Sequence, residues 1–235
     1  MTHSRPVVTG YPYSSLFRDR HEAGQQLAAA VSALPGLKEP IVLALPRGGV
    51  PVGFEVATVL RAPLDALVVR KLGTPGQEEL ALGAVAFGGA SYLNADLVAE
   101  LQLPQQFVDQ IRERELAEVM QRNERYRGDR PLPDLRWRSV IIVDDGAATG
   151  ATVEAAIVAL RSQDPAEIVV ALPVAPLETC DRLREAADRF VCLRSPELFF
   201  ALGSWYLDFE QVSDEEVRDL LQPSVQGAEK QGPAR

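Results

Sequence analysis

Cysteine is almost missing from this chain. Among 235 residues there are two, Cys180 and Cys192, too few for a disulfide framework and without zinc-ligand spacing. Histidine is equally scarce. His3 and His21 have no partner at metal-ligand spacing, so neither reads as a ligand. No apolar run approaches the 18 or so residues of a membrane span, and the opening MTHSRPVVTG has no apolar signal core. The expectation is a soluble cytoplasmic protein that does not act at a membrane. Positive charge is also short: 24 Lys and Arg stand against 33 Asp and Glu, a net charge of −9. Such a chain is a poor partner for nucleic acid, whose backbone demands many cations.

The hydrophobic fraction is 46% and the charged fraction 24%, values of an ordinary globular protein rather than a disordered one. Five short, continuously apolar runs stand out: Ile41–Leu45, Asp65–Arg70, Val140–Asp144, Ile168–Leu172 and Phe190–Leu193. Continuous rather than alternating hydrophobicity suits strands covered on both faces. Helical patterns lie between them at Glu22–Leu34, Pro51–Leu60, Thr152–Arg161 (with Thr152 as a cap) and Pro176–Asp188, the last with Leu177, Cys180, Leu183 and Ala187 on one stripe. The alternation predicts an α/β fold: a parallel five-stranded core sheet, helices on both faces, and a small hood from the terminal segments.

Gln105–Arg127 breaks the rhythm as a long charged helix, with Phe107, Ile111, Val119 and Met120 toward the protein and the remainder a solvated face. Ser213–Glu216 is a capping box opening a short helix through about Leu221. The expected organisation is one domain over 1–222, with the 105–127 helix as an insertion and 223–235 as a flexible tail.

Val140–Thr152, VIIVDDGAATGAT, carries the chemistry. A buried strand ends in two carboxylates, then a loop of small residues leads into a helix. Without bulky side chains, the amides of Gly146, Ala147, Ala148, Thr149, Gly150, Ala151 and Thr152 can approach a phosphate, aided by the helix dipole and two hydroxyls. Asp144 and Asp145 would repel that phosphate unless something separates them. A ribose does so: its hydroxyls donate to the acids while its 5′-phosphate reaches the loop. The segment has neither the Gly-x-x-x-x-Gly-Lys ending of a Walker loop nor a Gly-x-Gly-x-x-Gly fingerprint.

The segment resembles the signature of type I phosphoribosyltransferases. The resemblance implies binding of 5-phosphoribosyl 1-diphosphate (PRPP) with Mg²⁺, attack by a nitrogenous base, and loss of pyrophosphate. Asp144, Asp145 and Lys71 are then the catalytic candidates. Leu45–Pro51 resembles the family's pyrophosphate loop, with Arg47, Gly48 and Gly49 as candidates; that loop sometimes carries a cis peptide. Val68–Gly76 is similar to the Arg-Lys-x-Gly stretch of adenine-type enzymes and adds Arg70 and Lys71. Gln77–Gly89 falls where the family has a mobile lid; Glu78 and Glu79 within it read as surface glutamates. Phe199–Phe209 resembles the Phe-x-x-Gly stretch of hypoxanthine-type enzymes, which assigns Phe200 and Trp205 to the base and Asp208 to a metal, although Gly203 to Asp208 is one residue longer than the pattern. Ala148 stands where hypoxanthine-type enzymes place an aspartate, which removes the obvious general base. A purine acceptor and a homodimer follow from the family. A non-catalytic PRPP or nucleotide sensor is the alternative. Arg18 and Arg20 read as partners of acids, and both cysteines as core residues.

Overall fold

The structure is a computed structural model. It describes residues 16–222 apart from 75, 76, 87, 89, 129, 131 and 132, with backbone alone for 77–80. The expected tail at 223–235, and His3, lie outside the described residues.

Five parallel strands form the central sheet: Ile41–Ala44 (β1), Leu64–Ala66 (β2), Ser139–Val143 (β6), Glu167–Val174 (β7) and Arg189–Arg194 (β8), in the order β2-β1-β6-β7-β8. Successive side chains go to opposite faces. Val42, Ile141, Val143, Val169 and Ala171 pack under helices Arg20–Ser32 (α1) and Gly49–Leu60 (α2). Ile41, Leu43, Val140, Ile142, Ile168 and Val170 pack under Ala151–Arg161 (α5) and Leu177–Ala186 (α6). Burial on both faces is why these runs are unbroken hydrophobic sequence.

From β1 the chain moves outward to β2, whereas from β6 it moves the other way through β7 and β8. The carboxyl ends of β1 and β6 therefore flank a topological switch point, where open α/β sheets bind ligands. Leu45 donates its amide to Val143 O at 2.8 Å, carrying the β1–β6 pairing into the turns that follow.

The run Asp65–Arg70 is not one strand. It divides at Leu67–Val68, its first part in β2 and its second in Val69–Thr74 (β3), the edge of a separate antiparallel sheet with Gln77–Ala86 (β4) and Ser91–Leu93 (β5). The segment expected as a lid loop is thus largely strand through Ala86. Gly83 makes this possible, since a Cβ there would lie 2.1 Å from Tyr92 O across the ladder. Between the sheets run Ala95–Glu100 (α3) and Gln105–Arg127 (α4), the latter with the expected bounds.

The buried face of α4 is the expected one only in part: Ile111 and Val119 are buried and Phe107 packs on the core, as expected, but Met120 is not. Val108, Ile111 and Val119 are buried, but so are Glu115, Asn123 and Arg127, while Met120 is 57% exposed. Arg127 explains the difference: its Nε and Nη2 donate to Asp65 Oδ1 and Oδ2, both at 2.6 Å, so a buried fork pairs α4 with β2. Two smaller corrections concern helix ends. Gly150, at φ +73°, caps α5 in place of Thr152, and Leu177 is exposed at the start of α6. Ser213 Oγ accepts from the Glu216 amide at 3.0 Å and opens Asp214–Leu220 (α7) as expected.

Candidate functional site

At the switch point the turn after β1 meets the acids after β6. The bond between Pro46 and Arg47 is cis. A Cβ on Gly48 would lie 2.0 Å from Asp145 Oδ2, and one on Gly49 would lie 2.8 Å from Val143 O and 2.9 Å from Asp144 Cα. Both glycines are therefore needed for backbone to reach the acid pair, a role distinct from presenting amides to a ligand. Gly48→Ala forces Asp145 aside. Overpacking of this kind costs about 1–3 kcal/mol, so we expect the Tm to fall by several degrees; an unchanged Tm would place the Asp145 carboxylate elsewhere.

Asp145 cannot simply move, because it is held from two directions. Arg20 Nε donates to its Oδ2 at 2.8 Å, and the Tyr206 hydroxyl donates to its carbonyl at 2.5 Å. Arg20 in turn donates from Nη1 to Glu210 O at 2.7 Å and lies 3.9 Å from the Phe209 ring centroid. Phe17 and Tyr206 form a parallel bridge and pack with centroids 5.4 Å apart. The chain before α1 and the chain after β8 thus close together over the acid pair. Arg18 pairs with Asp19, as its sequence context suggested, and His21 Nδ1 lies 3.0 Å from Glu55 Oε1.

Asp144 shares its carboxylate locally, Oδ1 accepting from the Asp145 amide at 2.9 Å. Burial, then the neighbouring Asp145 charge, push its carboxyl well above the usual carboxylate range. Burial and the same acid raise the Tyr206 hydroxyl as well. Two acids crowded at a strand end, one of them reluctant to ionise, form a site that gains from a hydroxyl-bearing or cationic ligand.

The loop beyond them is oriented by α6. Thr179 Oγ1 donates to Ala148 O at 2.9 Å, and Arg182 Nη2 donates to Thr149 O at 2.7 Å. Carbonyls are turned to α6, while at the α5 N-terminus the Ala151 amide donates to Thr149 Oγ1 at 3.4 Å and the other first-turn amides have no acceptor within the helix, save Glu154, which donates to Gly150 O. Gly150 is required here, since its φ is +73° and a Cβ would lie 2.9 Å from Thr179 Cγ2.

Thr149, Ala151 and Thr152 line an open cleft of about 1080 Å³ together with Arg70 and Lys71 of β3, and with Phe107, Gln110, Arg114 and Glu115 of α4. Two groups of candidates are thus assembled: Gly48 and Gly49 with Asp144 and Asp145, and Arg70 and Lys71 with the 149–152 loop. The chain from Gly146 to Thr149 joins them. Arg47 instead lies 3.5 Å from Asp214 at the start of α7.

The aromatic candidates are placed differently. Phe200 is 90% exposed. Trp205 stacks on Phe199 at 6.4 Å, its indole N–H buried without a hydrogen-bond partner among the described residues. Asp208 is exposed, accepts from the Glu210 amide at 3.1 Å, and belongs to no group of three metal-ligating side chains among the described residues. Sequence reasoning missed Tyr206, Asp214, Gln110, Arg114 and Glu115. Their only signal is helical spacing or aromaticity, which core residues share.

Comparison with known proteins decides the family. Residues 18–204 match the phosphoribosyl transferase domain, a span that includes both groups of site residues. The chain belongs to the phosphoribosyl transferase family. Two curated relatives from Mycobacterium tuberculosis, strains CDC 1551 and H37Rv, carry only the provisional name phosphoribosyl transferase; each is 48% identical over 206 residues, 88% of this chain. The chain spans about half their length, since the match covers 46% of each relative. Among solved structures, the Thermus thermophilus protein TT1426 superposes with a TM-score of 0.82 at 44% identity, over 88% of this chain and 98% of that one. The five-stranded parallel sheet and its flanking helices are the phosphoribosyl transferase architecture in this chain. Among the described residues of this family member no helix is long and apolar enough to cross a membrane.

Proposed function

We propose that this phosphoribosyl transferase moves the 5-phosphoribosyl group of PRPP onto a nitrogenous base, with a purine as the first acceptor to test, and releases pyrophosphate. The observation that supports this most is the joining of two chemistries by one short loop. A carboxylate pair suited to ribose hydroxyls runs directly into a helix start suited to phosphate, and that helix start shares a cleft with Arg70 and Lys71. In this reading Asp144 and Asp145 hold the 2′- and 3′-hydroxyls, and the 146–152 loop holds the 5′-phosphate. Gly48, Gly49, Arg70 and Lys71 hold the diphosphate, with Arg47 joining on release from Asp214.

The reaction breaks the bond between the anomeric carbon and the diphosphate oxygen and forms one to a ring nitrogen of the base. Positive charge builds on the ribose between the two events. Fixed carboxylates beneath the sugar favour that charge, and cations at the diphosphate favour the charge that leaves. Lys71 contributes as one of those cations. The ring nitrogen's proton passes to the departing diphosphate or to water, since Ala148 stands where hypoxanthine-type enzymes place an aspartate.

Mg²⁺ fits the donor set. This hard cation is ordinarily held by one or two carboxylates plus substrate phosphates, and Asp144 and Asp145 supply oxygen atoms at a site where one carboxyl resists ionisation without such a partner. Bound there with the diphosphate, it would neutralise the leaving group's charge. A cytoplasmic role in recovering free bases for nucleotide synthesis is the corresponding place in metabolism.

A second reading, PRPP or nucleotide sensing without catalysis, is favoured by the Arg20–Asp145 pair, which already satisfies one of the acids. A panel of purine and pyrimidine bases with labelled PRPP and Mg²⁺ separates the two. Nucleotide formed from any base supports transfer. Calorimetric binding of PRPP or a nucleotide with no product from any base supports the sensor, and absence of binding by either ligand overturns both readings.

A further inference from the structure

The charged side of α4 contains a device that the phosphate loop and the acid pair do not explain. Glu115 is nine-tenths buried along its side chain, yet it is bonded on both of its oxygens. Oε2 accepts from Arg70 Nε at 2.9 Å, while Oε1 accepts from Arg114 Nε at 3.1 Å and Nη2 at 3.0 Å. Consecutive residues on a helix do not ordinarily face each other. Arg114, 70% exposed along its side chain, is free to extend into water and is instead folded back onto its neighbour. The outcome is two guanidinium groups from different elements, β3 and α4, on one carboxylate. Both line the cleft that contains Thr149 and Thr152. One acid between two cations leaves a net positive charge, and among the described residues Nη1 of Arg114 and the two Nη groups of Arg70 remain for a ligand.

We infer that Arg114, held beside Arg70 by the buried Glu115, binds an anionic group of the substrate other than its 5′-phosphate. This rests on the proposed reading of the cleft as a phosphoribosyl site. It adds a residue from the α4 insertion that lies outside every motif by which that site was recognised. Guanidinium suits the task because its planar fork matches phosphate and carboxylate oxygens, and because it stays charged under all working conditions. Glu115 acts as a positioning residue: it fixes the direction of both forks before a ligand arrives, so less side-chain freedom is lost on binding. Two substrates carry a suitable group. One is the diphosphate of PRPP, the other an acidic substituent on the acceptor base.

Calorimetry with PRPP, ribose 5-phosphate and inorganic pyrophosphate on the wild-type chain, Arg114→Gln and Arg112→Gln tests the assignment. Arg112 is on the same helix, is paired with Asp109, and does not line the cleft, so it controls for a general loss of charge. One charge-assisted hydrogen bond corresponds to roughly tenfold or more in affinity. If the diphosphate is the ligand, Arg114→Gln weakens PRPP and pyrophosphate about tenfold, leaves ribose 5-phosphate within about twofold, and Arg112→Gln changes neither. If the acceptor is the ligand, PRPP affinity holds while the KM for an acidic base such as orotate rises about tenfold and that for uracil does not. The inference is overturned if all these constants stay within about twofold of wild type, if ribose 5-phosphate weakens equally, or if Arg112→Gln has the same effect. Wild-type protein that binds no PRPP overturns the phosphoribosyl reading and this inference together, whereas PRPP binding untouched in every arm, with both base KM values unchanged, overturns this inference alone.

Discussion

Replacing Asp144 and Asp145 together by asparagine is expected to lower nucleotide formation from PRPP and a base by about 1,000-fold or more, the scale of removing groups that stabilise transition-state charge. Pyrophosphate release measured with Mg²⁺ is the readout, and undiminished turnover in the double variant would defeat the assignment. The two acids should differ sharply in what they do for the fold. Asp144 is half-buried against a second carboxylate, and its carboxyl sits well above its ordinary range. A carboxyl whose folded pKa exceeds its unfolded one binds more protons in the native state. Stability is therefore lost as pH rises from the ordinary carboxylate range, near pH 4, through the raised folded value. Asp144→Asn removes that cost. Its Tm should exceed wild type by a few degrees at pH 7.5 without substrate, and the gain should vanish toward pH 4. Asp145→Asn should move the other way, because Arg20 then loses its carboxylate partner and keeps Glu210 O and the Phe209 and Tyr206 rings. A chain that keeps a destabilising acid for a ligand's sake trades stability for activity. Equal Tm changes in the two single variants would contradict this division.

That division was invisible in sequence, although the motif itself was the clearest feature there. Residues 140–152 could be read because strand, acids, loop and helix are consecutive, so local pattern reports local geometry. Arg20 lies 125 positions from Asp145, and no periodicity links them. The same reasoning separates the strands. β1, β6, β7 and β8 are enclosed on both faces and announce themselves as apolar runs, whereas β4 is interspersed with three alanines and a glycine on a three-stranded sheet. The break at Leu67–Val68 was hidden because both halves are apolar while belonging to different sheets. Gly48 and Gly49 were correctly singled out, but the contact that requires them, a carboxylate within van der Waals reach, comes from the other side of the switch point. In α4 the length was legible from composition. The face was legible only at Phe107, Ile111 and Val119, because Glu115 and Arg127 are buried through ion pairs, and a hydrophobic pattern has no place for a buried charge.

The second large effect follows from one of those pairs. Arg127 has no exposed side-chain surface, and both of its bonds to Asp65 are 2.6 Å long. Asp65 Oδ1 also accepts from the Ala66 amide at 2.9 Å, so the carboxylate is fixed at the edge strand of the main sheet. Removing one member of a buried pair leaves the other charged and unpaired, at a cost of about 3–5 kcal/mol. For a chain of this size that corresponds to a Tm lower by roughly 10 °C. We expect this of Arg127→Met. Adding Asp65→Asn to it should recover most of the loss, since replacing both charges avoids the uncompensated one. The pair also ties α4 to β2, and α4 carries Arg114 and Glu115 into the cleft about three turns away. Binding therefore separates anchoring from mere stability. If the Asp65–Arg127 fork sets the position of α4, the double variant regains its Tm but binds PRPP more weakly than wild type. If packing of Val108, Ile111 and Val119 suffices, the double variant recovers both. A single variant with unchanged Tm would show that the fork holds neither helix nor strand.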